Sequence, residues 1–416
     1  MERLKERVAH IGQYAVTLLK WMVLGGVIGL VGGIIGSLFH IGVDTATQAR
    51  LAHPWVLYLM PVGGLAIVGL YRLTKTEGKG TNDIIASVHF GGAGAGAAGA
   101  GDLRVHGHHP PVAAAAGREG AALQIGGGIG YQAGRLLRLG EKDLPLATLC
   151  GMSGVFAAPV RHTPDGHGVC TGGHQRGRSV LCRTGTVPDG GLDGLSGVGA
   201  HGVPPTRFTV TVPGLEVRTM LLVMVLALLC AVVSILFCRG LHGVEHLLKR
   251  TLKNPYLRVA VGAAVLIGLT LLTNGDYNGA GMEVIGRAIA GQADPWAWVW
   301  KLLFTAITIG CGFKGGEVVP SFFVGAAFGC VAAGWLGLPA GFGAAMGLVS
   351  VFCGAVNCPL ASIILSVELF GSGDLLYFAM ACSISYLISG YCGLYSSQTI
   401  LYSKLRAEFI NVRTHE

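Results

Sequence analysis

The chain has 416 residues, of which 12% are Asp, Glu, Lys or Arg, 51% are hydrophobic and 68 are Gly. That is about half the charge of a soluble globular chain, and the glycines keep no three-residue period; both points exclude a disordered or collagen-like chain and argue against a soluble enzyme. The net charge of +8 comes mostly from cations at the ends of apolar runs, among them Arg3, Lys20, Arg72, Lys75, Lys249, Arg250, Lys404 and Arg413, which is where topology determinants of a polytopic α-helical membrane protein sit.

A span needs roughly 20 apolar residues, fewer where it is broken or tilted. Residues 1–13 are charged and amphipathic and suit the membrane interface. Apolar runs follow at Ala15–Val43, Trp55–Tyr71, Met220–Cys238, Tyr256–Thr273, Trp296–Gly312, Phe322–Gly337, Ala344–Leu369 and Leu375–Gly390. The first holds Gly25, Gly26, Gly29, Gly32, Gly33 and Gly36, the pattern of an interrupted helix lining a pathway. Eleven cysteines include no CxxC pair, and Cys230, Cys238, Cys311 and Cys330 fall inside apolar runs, where a reduced thiol acts as a small hydrophobe.

Two blocks break the pattern. Residues 91–116 and 160–204 are rich in Gly and polar residues, carry seven of the 14 His, and show no periodicity. The plain reading is two long polar loops. HGHH at 106–109 suggests a metal site, yet no second ligand cluster at fitting spacing accompanies it, so no metal or cofactor is expected. A third reading is translation out of frame. One permissible codon string for Arg161–Gly177, moved forward one nucleotide, encodes GTPLTATVFALEVISV. This is apolar and parallels PLASIILSVEL at Pro359–Leu369. A frame change around Arg104–Pro111, taken from the Leu103 codon onward, likewise yields the apolar FVSTVITHL.

The chain also resembles itself. Gly117–Gly130 parallels Gly315–Gly329, each with an acid two residues after a leading Gly and a Gly eight residues beyond that acid. Each is followed by a small-residue helix running to a proline, Pro159 or Pro359. This is the mark of an inverted repeat. It divides one transmembrane domain, 1–416, into a first repeat at 14–205 and a second at 210–405.

Chemistry concentrates at the starts of these paired segments. Gly117-Arg118-Glu119-Gly120 opens a Gly-rich apolar helix, whose N-terminus offers unpaired N–H groups and partial positive charge. That end suits an anion, or the Glu119 carboxylate when no anion is bound. The same spacing also suits an Arg118–Glu119 pair capping a surface helix. Gly312-Phe313-Lys314-Gly315-Gly316-Glu317-Val318-Val319-Pro320 is a second such turn. There the amides of Val318 and Val319 could face an anion beside Glu317, unless Glu317 simply pairs with Lys314. In Glu77–Ile84, Thr81 or Lys79 could meet an anion, or the segment is an exposed turn. Gly393-Leu394-Tyr395-Ser396-Ser397-Gln398 reads as the start of a last helix, with Tyr395 either a phenolic donor or an interfacial belt residue.

GREGxxxQIG, GFKGGExxPxFFxGAxxG and GLYSSQ, in this order, resemble the CLC family of chloride channels and anion/proton antiporters over about 14–90, 117–159 and 205–408. The resemblance implies an all-α inverted-repeat membrane fold, a homodimer in a bacterial inner membrane, and a transporter of halide and protons rather than an enzyme or a nucleic-acid binder. It makes Glu119 the external gating and proton-transfer glutamate. Arg118 and Gly120 belong to the same anion-binding motif, Tyr395 becomes the central-site tyrosine, and Val318 and Val319 become backbone contacts to the anion. Residues 78–83 stand where the family's serine loop stands. The departures are GKGTN in that loop, with Thr81 in place of a serine, Ala121 where a proline is usual, and Glu317 at a normally apolar position. They resemble the fluoride-exporting clade. The alternatives are a passive chloride channel of the same fold and an inactive frameshifted copy.

Overall fold

The computed structural model describes residues 2–73, 81–82, 85–86, 119–157, 208–313, 315–373 and 375–414. Both Gly/His-rich blocks, and with them the frame-change and metal-site readings, lie outside the described residues.

Helix α1 (Glu2–Ala52) is continuous, so residues 2–13 are not a separate element and the glycine run does not break it. A glycine in a helix costs on the order of 1 kcal/mol, and close helix approach can repay that in a membrane protein. Here a Cβ on Gly32 would stand 3.3 Å from the backbone of Gly154 in α4 (Leu144–Ala157). A short 3-10 turn, Pro54–Leu59, leads into α2 (Met60–Leu73).

Helix α3 (Glu119–Leu136) pairs with α4, and α9 (Val318–Leu336) pairs with α10 (Ala340–Val356). The two pairs cross through the same device. A Cβ on Gly126 would overlap the carbonyl oxygen of Gly151, and one on Gly325 would overlap that of Gly347. Four-residue glycine spacing, at 126/130, 325/329 and 343/347, puts the small residues on one stripe and lets the backbones touch.

Helix α5 (Val217–Thr251) runs through the middle, against α8 (Ala297–Gly310), α10 and α12 (Leu375–Ile388). The main core forms here around Phe237, Phe304, Phe323, Phe342 and Phe378, all wholly buried. Helices α6 (Pro255–Leu272) and α7 (Met282–Ile289) precede α8. Lys301 of α8 is also fully buried, and its ammonium donates to Tyr277 O at 3.1 Å and Gly279 O at 2.5 Å, stapling the turn between α6 and α7. By length and composition, Gly12–Ala52, Pro54–Leu73, Val217–Thr251, Pro255–Leu272 and Val318–Leu336 could each cross a membrane among the described residues.

Two further expectations need correction. The run Ala344–Leu369 is two helices, α10 and α11 (Pro359–Phe370). Asn357 takes a left-handed conformation (φ 58°) and Pro359 follows, so the first helix ends and the second begins with proline in its first turn. The segment from Tyr395 does not open a helix. It forms a tight turn and then an antiparallel hairpin, β1 (Thr399–Tyr402) with β2 (Phe409–Arg413). Both strands carry β-branched and aromatic residues, and exposure alternates along β2, which fits a strand rather than a helical face. Tyr402 meets Phe409 edge-on at 5.6 Å.

Candidate functional site

The turn before α9 is built by Gly315 and Gly316, with Glu317 as N-cap and Pro320 in the first helical turn. Glu317 is half-buried and makes no capping bond with its side chain. Val318 and Val319 follow as the first helical residues, 5% and 7% exposed. The first amides of an α-helix have no acceptor within it, so this end presents donors and partial positive charge inside the protein. Glu317 lies within electrostatic reach of Cys238 and Glu245 on α5.

Helix α3 starts at Glu119, and its first turn meets the Gly315–Gly316 turn that leads into α9. A Cβ on Gly120 would stand 3.3 Å from Gly316 Cα, 3.4 Å from Gly315 O and 3.4 Å from Thr81 Oγ1. Thr81 is half-buried in a helical turn and accepts a hydrogen bond from Gln124 Nε2, one turn into α3, at 3.2 Å. The next residue, Asn82, accepts the Ser397 amide on its Oδ1 at 3.4 Å.

That bond ties in the turn carrying Tyr395. This turn is seated on the C-terminal end of α10, whose last carbonyls need partners. Leu394 N donates to Ala355 O at 2.8 Å, Gln398 Nε2 to Val356 O at 3.0 Å, and Asn357 Nδ2 to Cys392 O at 2.9 Å. Tyr395 is half-buried against the core, and its carbonyl accepts from Gln398 N at 3.0 Å and Thr414 Oγ1 at 2.5 Å. The hairpin clamps the same place. Lys404 Nζ donates to Asn357 Oδ1 at 2.5 Å, Tyr386 O at 2.7 Å and Ser389 Oγ at 3.1 Å.

The structure thus brings Thr81, Gly120, Glu317, Val318 and Val319 to one locus and ties the Tyr395 turn to it through Asn82. Arg118, Lys79 and Lys314 lie outside the described residues, as does the Glu119 side chain, whose backbone begins α3. Sequence reasoning assigned no part to Asn82 or Gln124. Gln124 was findable, since it follows Gly120 by four residues and so shares its helix face. The Asn82–Ser397 bond has no local signature.

Chemically, the locus joins two helix N-termini, a hydroxyl and a carboxyl group in a largely apolar setting. Such an arrangement can bind a dehydrated anion and hold or release a proton beside it.

Known proteins agree with this architecture. A sequence model described as voltage gated chloride channel matches residues 195–390. A "Chloride/fluoride channel protein" of Pseudomonas syringae pv. tomato is 32% identical, over 93% of this chain and 88% of its own length. An "H(+)/Cl(-) exchange transporter ClcA" of Yersinia pestis is 24% identical, over 92% of this chain and 87% of its own. A crystal structure of a CLC-type fluoride/proton antiporter superposes with a TM-score of 0.77 at 27% identity, covering 92% of this chain and 98% of the other. A slow cyanobacterial Cl-/H+ antiporter shares the fold at a TM-score of 0.66 and 17% identity, over 89% and 94% of the two chains. The chain belongs to the CLC, or voltage-gated chloride channel, family, near its fluoride-transporting members, and is a polytopic anion transporter of the membrane.

Proposed function

We propose that the protein moves halide anions, fluoride at least as well as chloride, across a bacterial inner membrane in exchange for protons, as a homodimer. The observation that carries this reading is the meeting of two acid-bearing helix N-termini at Gly120 and Gly316. Fluoride is small and strongly hydrated, so it leaves water only for strong donors. Backbone N–H groups at the starts of α3 and α9, including those of Gly120, Val318 and Val319, and the Tyr395 hydroxyl are such donors. Thr81 adds a hydroxyl where the chloride members' serine would stand. Arg118 contributes positive charge to the mouth of the α3 site. Glu317 in its neutral form adds an O–H donor, which a chloride site does not need.

Glu119 couples the two fluxes. As a carboxylate it competes with the anion for the α3 N-terminus; protonated, it leaves and opens the site. The names of the Yersinia relative and of the fluoride/proton antiporter support exchange. That of the Pseudomonas relative favours a passive channel. Glu119→Gln keeps size and polarity but cannot ionise, so an outward fluoride gradient should drive protons into vesicles with the wild type and not with the variant. Unchanged coupled exchange in Glu119→Gln removes this residue from the mechanism. Anion flux with no proton movement in the wild type establishes the channel.

A further inference from the structure

Cys238, in α5, and Cys392, in the turn after α12, lie within hydrogen-bond reach of each other. One carbonyl places both. Cys238 Sγ lies 3.9 Å from Ala355 O, which accepts the Leu394 amide at 2.8 Å. Asn357 Nδ2 holds Cys392 O at 2.9 Å, and His242, one turn beyond Cys238, has its Nε2 3.3 Å from Gly393 O. Both sulfurs are therefore fixed through backbone on two elements far apart in sequence.

Their surroundings differ in a useful way. Cys238 is wholly buried, whereas Cys392 is half-buried and can be reached. The hydrogen bond with Cys238 and the charges of Arg239 and Lys404 hold the Cys392 thiol down at about 7, against the opposing effect of burial. A thiolate near neutral pH with partial exposure is the nucleophilic form. A second couple, Cys353 and Cys382, provides a contrast. Cys353 Sγ donates to Cys382 O at 3.3 Å, and both residues are inaccessible. None of the nine described cysteines is joined in a disulfide.

We propose that Cys392 and Cys238 form a dithiol modification site for hydroperoxides, with Cys392 attacking and Cys238 resolving. The Cys392 thiolate attacks a peroxide oxygen; an S–O bond forms, the O–O bond breaks, and the sulfur gives up two electrons. The departing hydroxide takes a proton and leaves as water. The Cys238 sulfur then attacks the sulfenic sulfur, the S–S bond forms, and the S–O oxygen leaves as a second water with the Cys238 proton. Overall, one hydrogen peroxide and two thiols give one disulfide and two waters. The disulfide ties α5 to the turn holding Tyr395, three residues on. On the reading that Tyr395 lines the anion path, oxidation slows transport.

The test uses the purified full chain in liposomes, exposed to hydrogen peroxide, alkylated and digested for mass spectrometry. A linked Cys238–Cys392 peptide is expected, with Cys353 and Cys382 still reduced. Cys238→Ser removes the resolving sulfur but keeps a hydrogen-bond donor beside Cys392, and should trap Cys392 as a sulfenic acid that dimedone labels, whereas Cys392→Ser should leave Cys238 unlabelled. Reduced Cys238 and Cys392 after exposure, or equal linking of Cys353 to Cys382, overturns the site. Oxidised protein should transport several-fold more slowly than reduced protein, with recovery on dithiothreitol. Equal rates in the two states overturn the effect on the Tyr395 turn while leaving the dithiol site standing. A reduced wild type that transports neither halide counts against the proposed function alone, because peptide linkage is read without flux.

Discussion

Gly120 and Gly316 lie so close that a Cβ on the first would stand 3.3 Å from the Cα of the second. Two helix starts from distant parts of the chain meet at that point, with Thr81 on the third side. Gly120→Val would fill the space between them without touching the helix-pairing glycines deeper in α3. Anion flux per folded protein should fall at least about tenfold, or about 1.4 kcal/mol at the barrier. Full activity in this variant would place the anion path elsewhere.

Thr81 accepts from Gln124 and stands beside Gly120. Thr81→Ser keeps the hydroxyl, whereas Thr81→Val keeps the shape and loses it. The lost hydrogen bond is worth about 1 kcal/mol, so the valine variant should carry anions several-fold more slowly and the serine variant at nearly the wild-type rate. Flux assays on matched amounts of reconstituted protein measure this. Equal rates for all three would make Thr81 a packing residue.

Stability should follow the glycine contacts. A side chain at Gly325 collides with the backbone at Gly347, whereas nothing stands within 4 Å of a Cβ on Gly334. Gly325→Val should cost roughly 1–3 kcal/mol or more, as overpacking does. It should lower Tm in detergent, and Gly334→Ala should be neutral or slightly stabilising. The reverse order would mean that α9 and α10 are not knit as described.

Much of this was legible because it is local. Glycine turns followed by an acid or proline mark the starts of α3 and α9, and four-residue glycine spacing marks their paired faces. The break between α10 and α11 was also written locally, in Asn357-Cys358-Pro359, but the apolar run on either side masked it. The hairpin after Tyr395 was hidden because Gly393–Gln398 looks like the other helix starts; only the alternation in Phe409–Arg413 distinguishes it. Two features could not be read from neighbours at all. Lys301 is buried through carbonyls at 277 and 279, so it resembles an ordinary helix-end lysine in sequence. Asn82 meets Ser397 only when the chain has folded.

Lys404 gives the clamp on the Tyr395 turn a pH dependence. Burial lowers its pKa from 10.5 to about 8, against weaker opposing effects from Cys353, Cys392 and Cys358. Between those values the unfolded chain holds a proton that the folded one has released, so stability from this group rises with pH across about 8 to 10.5. The Tm of the wild type relative to Lys404→Met should therefore increase from pH 8 to pH 10. A difference that stays flat or falls would show that Lys404 is solvated in the folded state.

The central claim is that the meeting helix starts form a site for fluoride. Its most direct test is initial efflux of fluoride and of chloride from proteoliposomes holding equal gradients, read with ion-selective electrodes on the same protein preparation. The account expects fluoride efflux at least comparable with chloride efflux. Robust chloride efflux with no measurable fluoride efflux would contradict it.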